Sequence, residues 1–291
     1  MSIVINTNMP ALIAQNALDR ANALLTKSLQ RMSTGNRINS AADDPAGSYI
    51  ASKMFTQIRG TNIAAQNVLS GYNMISTASS DMSAINTQLE RIKDLATQYA
   101  NGTNTAEQQA EIKKEVQQRV DEINRIAGES NFNDLKLLDG SRGSVRLQIG
   151  PNANASANSI TVSNVFLKAT TGADGIKLFG GKFANVDAAF ASEATAAEFI
   201  DIVQASADTI TERISTAGIY QSRLESVTNH LVAQNENLIE SYGTVMDADI
   251  AEESANYTKY ILLQQTASTM LAQANQLNGS IALRLFGSLA S

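Results

Sequence analysis

Residues 33–52, STGNRINSAADDPAGSYIAS, place Arg37 shortly before the adjacent carboxylates Asp43 and Asp44, with Gly35 upstream and Pro45 directly after. Two carboxylates beside a guanidinium could do general acid–base work, hold a metal ion or clamp an anion. Each of those chemistries needs more than this stretch supplies. No histidine or partner base lies nearby, and no glycine cradle accompanies the pair. The structural reading uses every residue. Asp44 offers a side-chain acceptor at a helix N-cap, and Pro45 takes the first helical position, where its missing N–H costs nothing. Gly35 suits the left-handed residue that ends a helix. Arg37 is expected to pair with Asp43 or with a neighbouring subunit. Gly35, Arg37, Asp43, Asp44 and Pro45 together read as a joint between helices that carries an interface.

Other chemical candidates fail on spacing. In GIKLFGGK, residues 175–182, Ile176 stands where a phosphate-binding loop requires glycine, and Phe183 replaces the needed Ser or Thr. The acidic run DADIAEES, residues 247–254, lacks the central glycine and ligand spacing of a calcium loop. Asp247 and Asp249 are better suited to capping a helix and complementing its dipole. His230 is the single histidine and there is no cysteine, which excludes thiolate and multi-histidine metal sites. The sequons at Asn101, Asn256 and Asn278 are expected by chance in an Asn-rich chain. No catalytic residue, cofactor or metal is expected, and the chain reads as a non-enzyme.

The elements that position these residues are long helices. Hydrophobic residues alternate at spacings of three and four through Ile75, Ala78, Met82, Ile85, Leu89, Ile92 and Ala96. After NGTNTA the pattern resumes at Ile112, Val116, Val120 or Arg119, Ile123 and Ile126. Ile210, Ala217, Leu224, Leu231, Leu238 and Val245 recur every seventh residue. Such narrow stripes are coiled-coil seams. Helices from residue 46 to 99 and from 196 to 245 would span about 80 and 75 Å. The expected fold is therefore mainly α, an elongated rod of long antiparallel helices in coiled-coil-like packing.

Both ends carry thinner seams. Ala11, Ala14, Leu18, Ala21, Leu25 and Met32 form one, and Tyr260, Leu263, Ala267, Met270, Ala274, Leu277 and Ile281 the other. Alanine-rich seams bury little area against an ordering cost of about 1–2 kcal/mol per residue. Both ends are therefore expected to be disordered in an isolated monomer and to order only against neighbours. Between Ala255 and Ser291 only Lys259 and Arg284 are charged, where an average chain would carry about nine charges. Neutral amides all round a helix suit a protein surrounding, where a charge would be costly to desolvate.

Val145, Leu147 and Ile149 alternate with polar residues, and GPNANASANS turns the chain towards Ile160, Val162 and Val165. That pattern predicts a small β-hairpin. Residues 169–195 are the least patterned and are expected to form a short variable surface segment. The organisation reads as a filament-core helix and joint (1–45), rod helices and hairpin (46–168), the surface segment, a rod helix (196–246) and a second core helix (247–291). A net charge of −6 argues against nucleic acid, the apolar runs are too short for a membrane span, and no cleaved signal peptide is visible.

INTNMPALIAQNALDRANALLTKSLQRMSTGNRINSAADDPAG and MDADIAEESANYTKYILLQQTASTMLAQANQ closely resemble the two ends of bacterial flagellin. LERIKDLATQYANGT, FNDLKLLDG and LQIGPNAN resemble its rod. The match covers roughly residues 1–165 and 195–285, with almost no variable outer domain. The resemblance implies a subunit of the extracellular flagellar filament, exported unfolded through the flagellar type III apparatus and secreted without signal cleavage. It implies an export chaperone on the C-terminal segment, cap and hook-junction proteins as partners, and a homopolymer whose ends pair as a coiled coil. That coiled coil would draw on Leu18, Ala21, Leu25 and Met32 with Leu263, Ala267, Met270, Ala274 and Leu277. It also implies recognition by the innate receptor Toll-like receptor five through Arg91, Leu95 and Glu115, although Glu90 stands where many members have glutamine. A hook–filament junction protein and a soluble coiled-coil adaptor are the alternatives.

Overall fold

A computed structural model describes residues 7–288; of residue 155 and residues 277–288 only the backbone is described. Helix α1 (Met9–Thr34) is followed by α2 (Pro45–Tyr99) and α3 (Ala106–Glu129). Short strands β1 (Asn131–Phe132), β2 (Leu135–Lys136) and β3 (Ser144–Gln148) follow. A single turn, α4 (Ala155–Asn158), leads into β4 (Ser159–Ser163). Another short turn, α5 (Val186–Ala189), precedes the long helices α6 (Glu193–Met246) and α7 (Ile250–Ser288). The chain forms two compact units, residues 1–56 with 237–291, and residues 57–236. The division falls inside α2 and α6 rather than at the helix ends; in the first unit Ala51, Phe55, Tyr242 and Met246 line a cavity with Ile38.

In the unit of residues 57–236 the α2 seam is buried throughout, from Ile75 to Ala96. It faces Ile112, Val116, Val120, Ile123 and Ala127 of α3 and Phe199, Val203, Ile210, Ala217, Leu224 and Leu231 of α6. Val120, not Arg119, takes the ambiguous seam position. α3 starts on a capping box, with Thr105 and Gln108 each satisfying the other's backbone N–H.

The predicted hairpin is present. β3 and β4 pair antiparallel with Val145 opposite Val162 and Leu147 opposite Ile160. It docks on α2 where that helix carries glycines: a Cβ on Gly71 would stand 2.4 Å from Leu147 Cδ1, and one on Gly60 2.6 Å from Pro151 Cβ. A second hairpin, β1–β2, had no counterpart in the reading of the residues. It turns through Asn133 (φ 51°) and Asp134 (φ 62°), two residue types that tolerate the left-handed conformation a tight hairpin turn demands.

Residues 169–195 correct the expectation of a surface segment. Ala169, Ile176, Leu178, Phe179, Phe183, Val186, Ala189 and Phe190 are all buried. Phe199 of α6 is their centre: Phe179 stacks on it with centroids 5.6 Å apart, and Phe183 and Phe190 meet it edge-on. Polar side chains hold the irregular backbone. Asn124 accepts from the Thr171 N–H at 3.0 Å, Ser206 donates to the Ile176 carbonyl at 3.0 Å, and Tyr99 donates to the Phe190 carbonyl at 2.7 Å. Aromatics here provide the volume that periodicity provides elsewhere.

Candidate functional site

The joint of residues 35–47 is built locally. Gly35 ends α1 with φ 73°, and its N–H bonds to the Arg31 carbonyl at 2.8 Å. The next residues run as a single antiparallel bridge, Asn36 opposite Asp247. In it the Arg37 N–H bonds to the Met246 carbonyl at 2.6 Å and the Ala248 N–H to the Gly35 carbonyl at 2.9 Å. Asp44 caps α2 as expected, Oδ1 accepting from the N–H groups of Ala46 (3.1 Å) and Gly47 (2.9 Å), with Pro45 opening the helix.

Arg37 does not pair with Asp43. Its guanidinium donates to the Val245 carbonyl at 2.8 Å, at the C-terminal end of α6, where carbonyls lack helical partners. Asp43 is taken by Lys27 of α1, 2.7 Å away, and its other oxygen accepts from the N–H groups of Asn39 and Ser40. The Lys27 hydrogen bond, with those backbone donors, lowers the Asp43 pKa from 3.8 to about 2. Asp249 caps α7 through the N–H groups of Ala251 and Glu252; Asp247 makes the bridge instead of a cap.

α1 and α7 pair within the single chain. A set of polar contacts adds to the alanine seam. Asn8 donates to the Ala274 carbonyl (3.1 Å), Gln264 to the Asn22 side chain (2.7 Å) and Ser28 to the Glu253 carbonyl (3.1 Å). Arg31 lies 3.8 Å from the Glu253 carboxylate. On α1 the seam is Ala14, Ala21 and Ser28, buried, with Leu18, Leu25 and Met32 half-buried.

On α7 the reading needs correction. Ala267 and Ala274 are buried, but Leu263 and Met270 are 46% and 58% exposed. The stripe instead passes through Glu253, Gln264 and Leu271, one position along at alternate steps. The seam admits polar residues because each has a partner on α1 or in its own backbone. The side chain of Leu277 lies outside the described residues.

Arg91 and Glu115 meet on the surface of the α2–α3 pair. Arg91 Nε lies 3.0 Å from Glu115 Oε1, and Arg119 Nη2 reaches the same oxygen at 3.4 Å. Arg91, by its hydrogen bond, holds the Glu115 carboxyl below the usual carboxylate range. Leu95 is only 2% exposed and belongs to the core, so it supports the floor of this groove and is not itself a contact surface. His230 is exposed. Among the described residues no group of three or more His, Cys, Asp or Glu could hold a metal ion, and no helix is long and apolar enough to cross a membrane.

Long antiparallel helices, α1 on α7 in one unit and α2, α3 and α6 in the other, define a helical protein. Residues 5–142 match the bacterial flagellin N-terminal helical region, and residues 200–285 match the bacterial flagellin C-terminal helical region. The chain is 34% identical over 279 residues to a flagellin of Halalkalibacterium halodurans, covering 94% of this chain and 96% of that one. It is 35% identical over 287 residues to the flagellar filament core protein flaB2 of Brachyspira hyodysenteriae, covering 97% and 99%. A putative flagellar hook-associated protein from Vibrio parahaemolyticus shares the fold, with a TM-score of 0.60 at 13% identity over 70% of this chain and 100% of that one. The chain belongs to the bacterial flagellin family.

Proposed function

We propose that this chain is the repeating subunit of an extracellular flagellar filament used for swimming. The observation that carries this reading is the dress of the terminal pair. α1 and α7 keep alanines between them and turn Leu12, Ile13, Leu24, Leu29, Leu262, Leu263 and Met270 outward. Scattered exposed apolar residues are ordinary, but seven on one helix pair otherwise poor in charge form a surface suited to other copies of the chain. In that assembly Leu263 and Met270 recover the seam role that they lack within one chain, as contacts between subunits. Electron microscopy of concentrated or seeded protein tests it: long helical filaments are expected, and a dispersed sample would favour a soluble adaptor. Leu24→Asp with Met270→Asp should leave helix content intact and abolish filaments. Failure of the chain to restore swimming in a strain lacking filaments, despite assembly at the hook, would favour a junction protein.

The subunit leaves the cell unfolded through the flagellar type III apparatus, with an export chaperone shielding the apolar side chains of α7. It adds beneath the cap and above the hook-junction proteins. A thin terminal seam supports this route, because little must be undone before export.

The Arg91–Glu115 surface is recognised by Toll-like receptor five, with Leu95 holding its floor. Both charged side chains are accessible at the groove, and Arg91→Ala should reduce signalling in a receptor reporter assay. Undiminished signalling by Arg91→Ala and Glu115→Gln together would refute it.

A further inference from the structure

One seam position on α2 is polar. Thr61 is 1% exposed, and its hydroxyl has no hydrogen-bond partner among the described residues. The other threonines of α2, Thr56, Thr77, Thr87 and Thr97, each donate to the carbonyl four residues earlier, at 2.9–3.1 Å. That local bond is the ordinary resort of a helical threonine. Thr61 forgoes it, so its hydroxyl is spent neither on its own helix nor on solvent. On α6 the side-chain oxygen of Asn235 is buried and likewise unpaired among the described residues. A buried donor and a buried acceptor are thus both left open within the unit of residues 57–236.

The register of the two helices brings these groups to one level. Lys93 of α2 donates to Gln204 of α6 at 2.6 Å, and the helices run antiparallel. Equal steps along the two helices from that bond put Ile210 between Ile85 and Leu89, and Ala217 between Ala78 and Met82. The same count puts Leu224 between Gly71 and Ile75, and Leu231 between Ala64 and Val68. All of these residues are buried, as interlocking seams require. One further turn of α6 brings Asn235 level with position 62, beside Thr61. The two open groups lie side by side without a direct bond, so a small bridging molecule must satisfy both.

We infer that Thr61 and Asn235 hold one water molecule between α2 and α6, a wet layer in the apolar seam. The Thr61 hydroxyl donates to the water oxygen, and the water donates to Asn235 Oδ1. Water is the smallest molecule that both accepts and donates, and sites of this kind are polar and enclosed. The layer lies close to both places where the chain divides, between Thr56 and Gln57 on α2 and between Glu236 and Asn237 on α6. Bonds that run through an exchangeable water hold two helices less firmly than interlocked apolar side chains. The α2–α6 seam therefore opens first at this layer, while the Ile75–Ala96 stretch stays closed.

Three measurements on the full-length chain test this. A density map at a resolution that shows water should place one peak within hydrogen-bond distance of both Thr61 Oγ1 and Asn235 Oδ1. A direct bond between the two side chains, or no peak, would overturn the site. Thr61→Val and Asn235→Leu should each lower the urea midpoint by leaving the other group unpaired, and the double variant should regain or exceed the parent's midpoint. Additive losses would overturn the coupling. Amides of residues 57–65 should exchange severalfold more slowly in the double variant than in the parent. Unchanged exchange there, with the midpoint restored, would overturn the opening.

Discussion

Ser28 of α1 donates its hydroxyl to the backbone carbonyl of Glu253 in α7, 3.1 Å away, at a seam position that is 1% exposed. It stands in register with Ala14 and Ala21, where only small residues let two helix backbones approach. Removing the hydroxyl with Ser28→Ala should cost about 1 kcal/mol. Enlarging the residue with Ser28→Leu should cost more, about 1–3 kcal/mol, by prising the helices apart. Urea titration followed by circular dichroism checks the order, Leu below Ala below the parent.

Glycines on helices separate in the same way. Gly60→Ala would drive a Cβ into the rigid ring of Pro151, whereas Gly128 in α3 has nothing within 4 Å. Alanine at 128 should therefore stabilise by about 0.5–1 kcal/mol through helix propensity alone. Alanine at 60 forfeits that gain and should lower the melting temperature by displacing the hairpin loop. Thermal melts of the two variants should move in opposite directions.

Asp43 predicts where acid loosens the joint. Its carboxyl is lowered from 3.8 to about 2 by Lys27 and by two backbone donors, so the folded state favours the ionised form. The stabilisation is complete above pH about 4 and is lost as pH falls towards about 2. Asp43→Asn should show no such loss in that window and should be less stable than the parent at neutral pH. Lys27 resonances followed by NMR through the acid titration would report the break directly.

Phe199 is fully buried among three phenylalanines on an otherwise irregular segment. Phe199→Ala should cost about 3–5 kcal/mol and release residues 176–190 first. Amide exchange should then accelerate there before it does in α3.

Much of this was readable in the residues. The run from Ile75 to Ala96 is legible because every seam position is apolar and most residues between them are polar, and all seven prove buried. The joint was legible at Gly35, Asp44 and Pro45 because caps are local chemistry. The Arg37–Asp43 pairing was misjudged because their partners, Val245 and Lys27, come from other helices that local spacing cannot place. Leu263 was chosen over Gln264 because the stripe was sought among apolar residues alone, and Met270 follows from Leu263 at the heptad spacing, one position short of Leu271. Gln264 enters it through Asn22, a partner 242 positions away. Residues 169–195 were unreadable for a different reason. Phe179, Phe183 and Phe190 follow no period, and only the arrival of Phe199 gives them a common centre. The β1–β2 turn did leave a signal, the Asn133–Asp134 pair, which suits a hairpin turn.

The terminal pair buries mainly small side chains (Ala14, Ala21, Ser28, Ala267 and Ala274) and leaves large apolar ones exposed, unlike a self-sufficient helical hairpin. Association of such a surface is governed by mass action: every added copy removes apolar area from water that a lone chain must leave wet. The protein should thus have a critical concentration, below which it stays single and above which growth continues from any existing end. Copies released one at a time at a growing tip would meet that condition locally while the surrounding solution stays far beneath it.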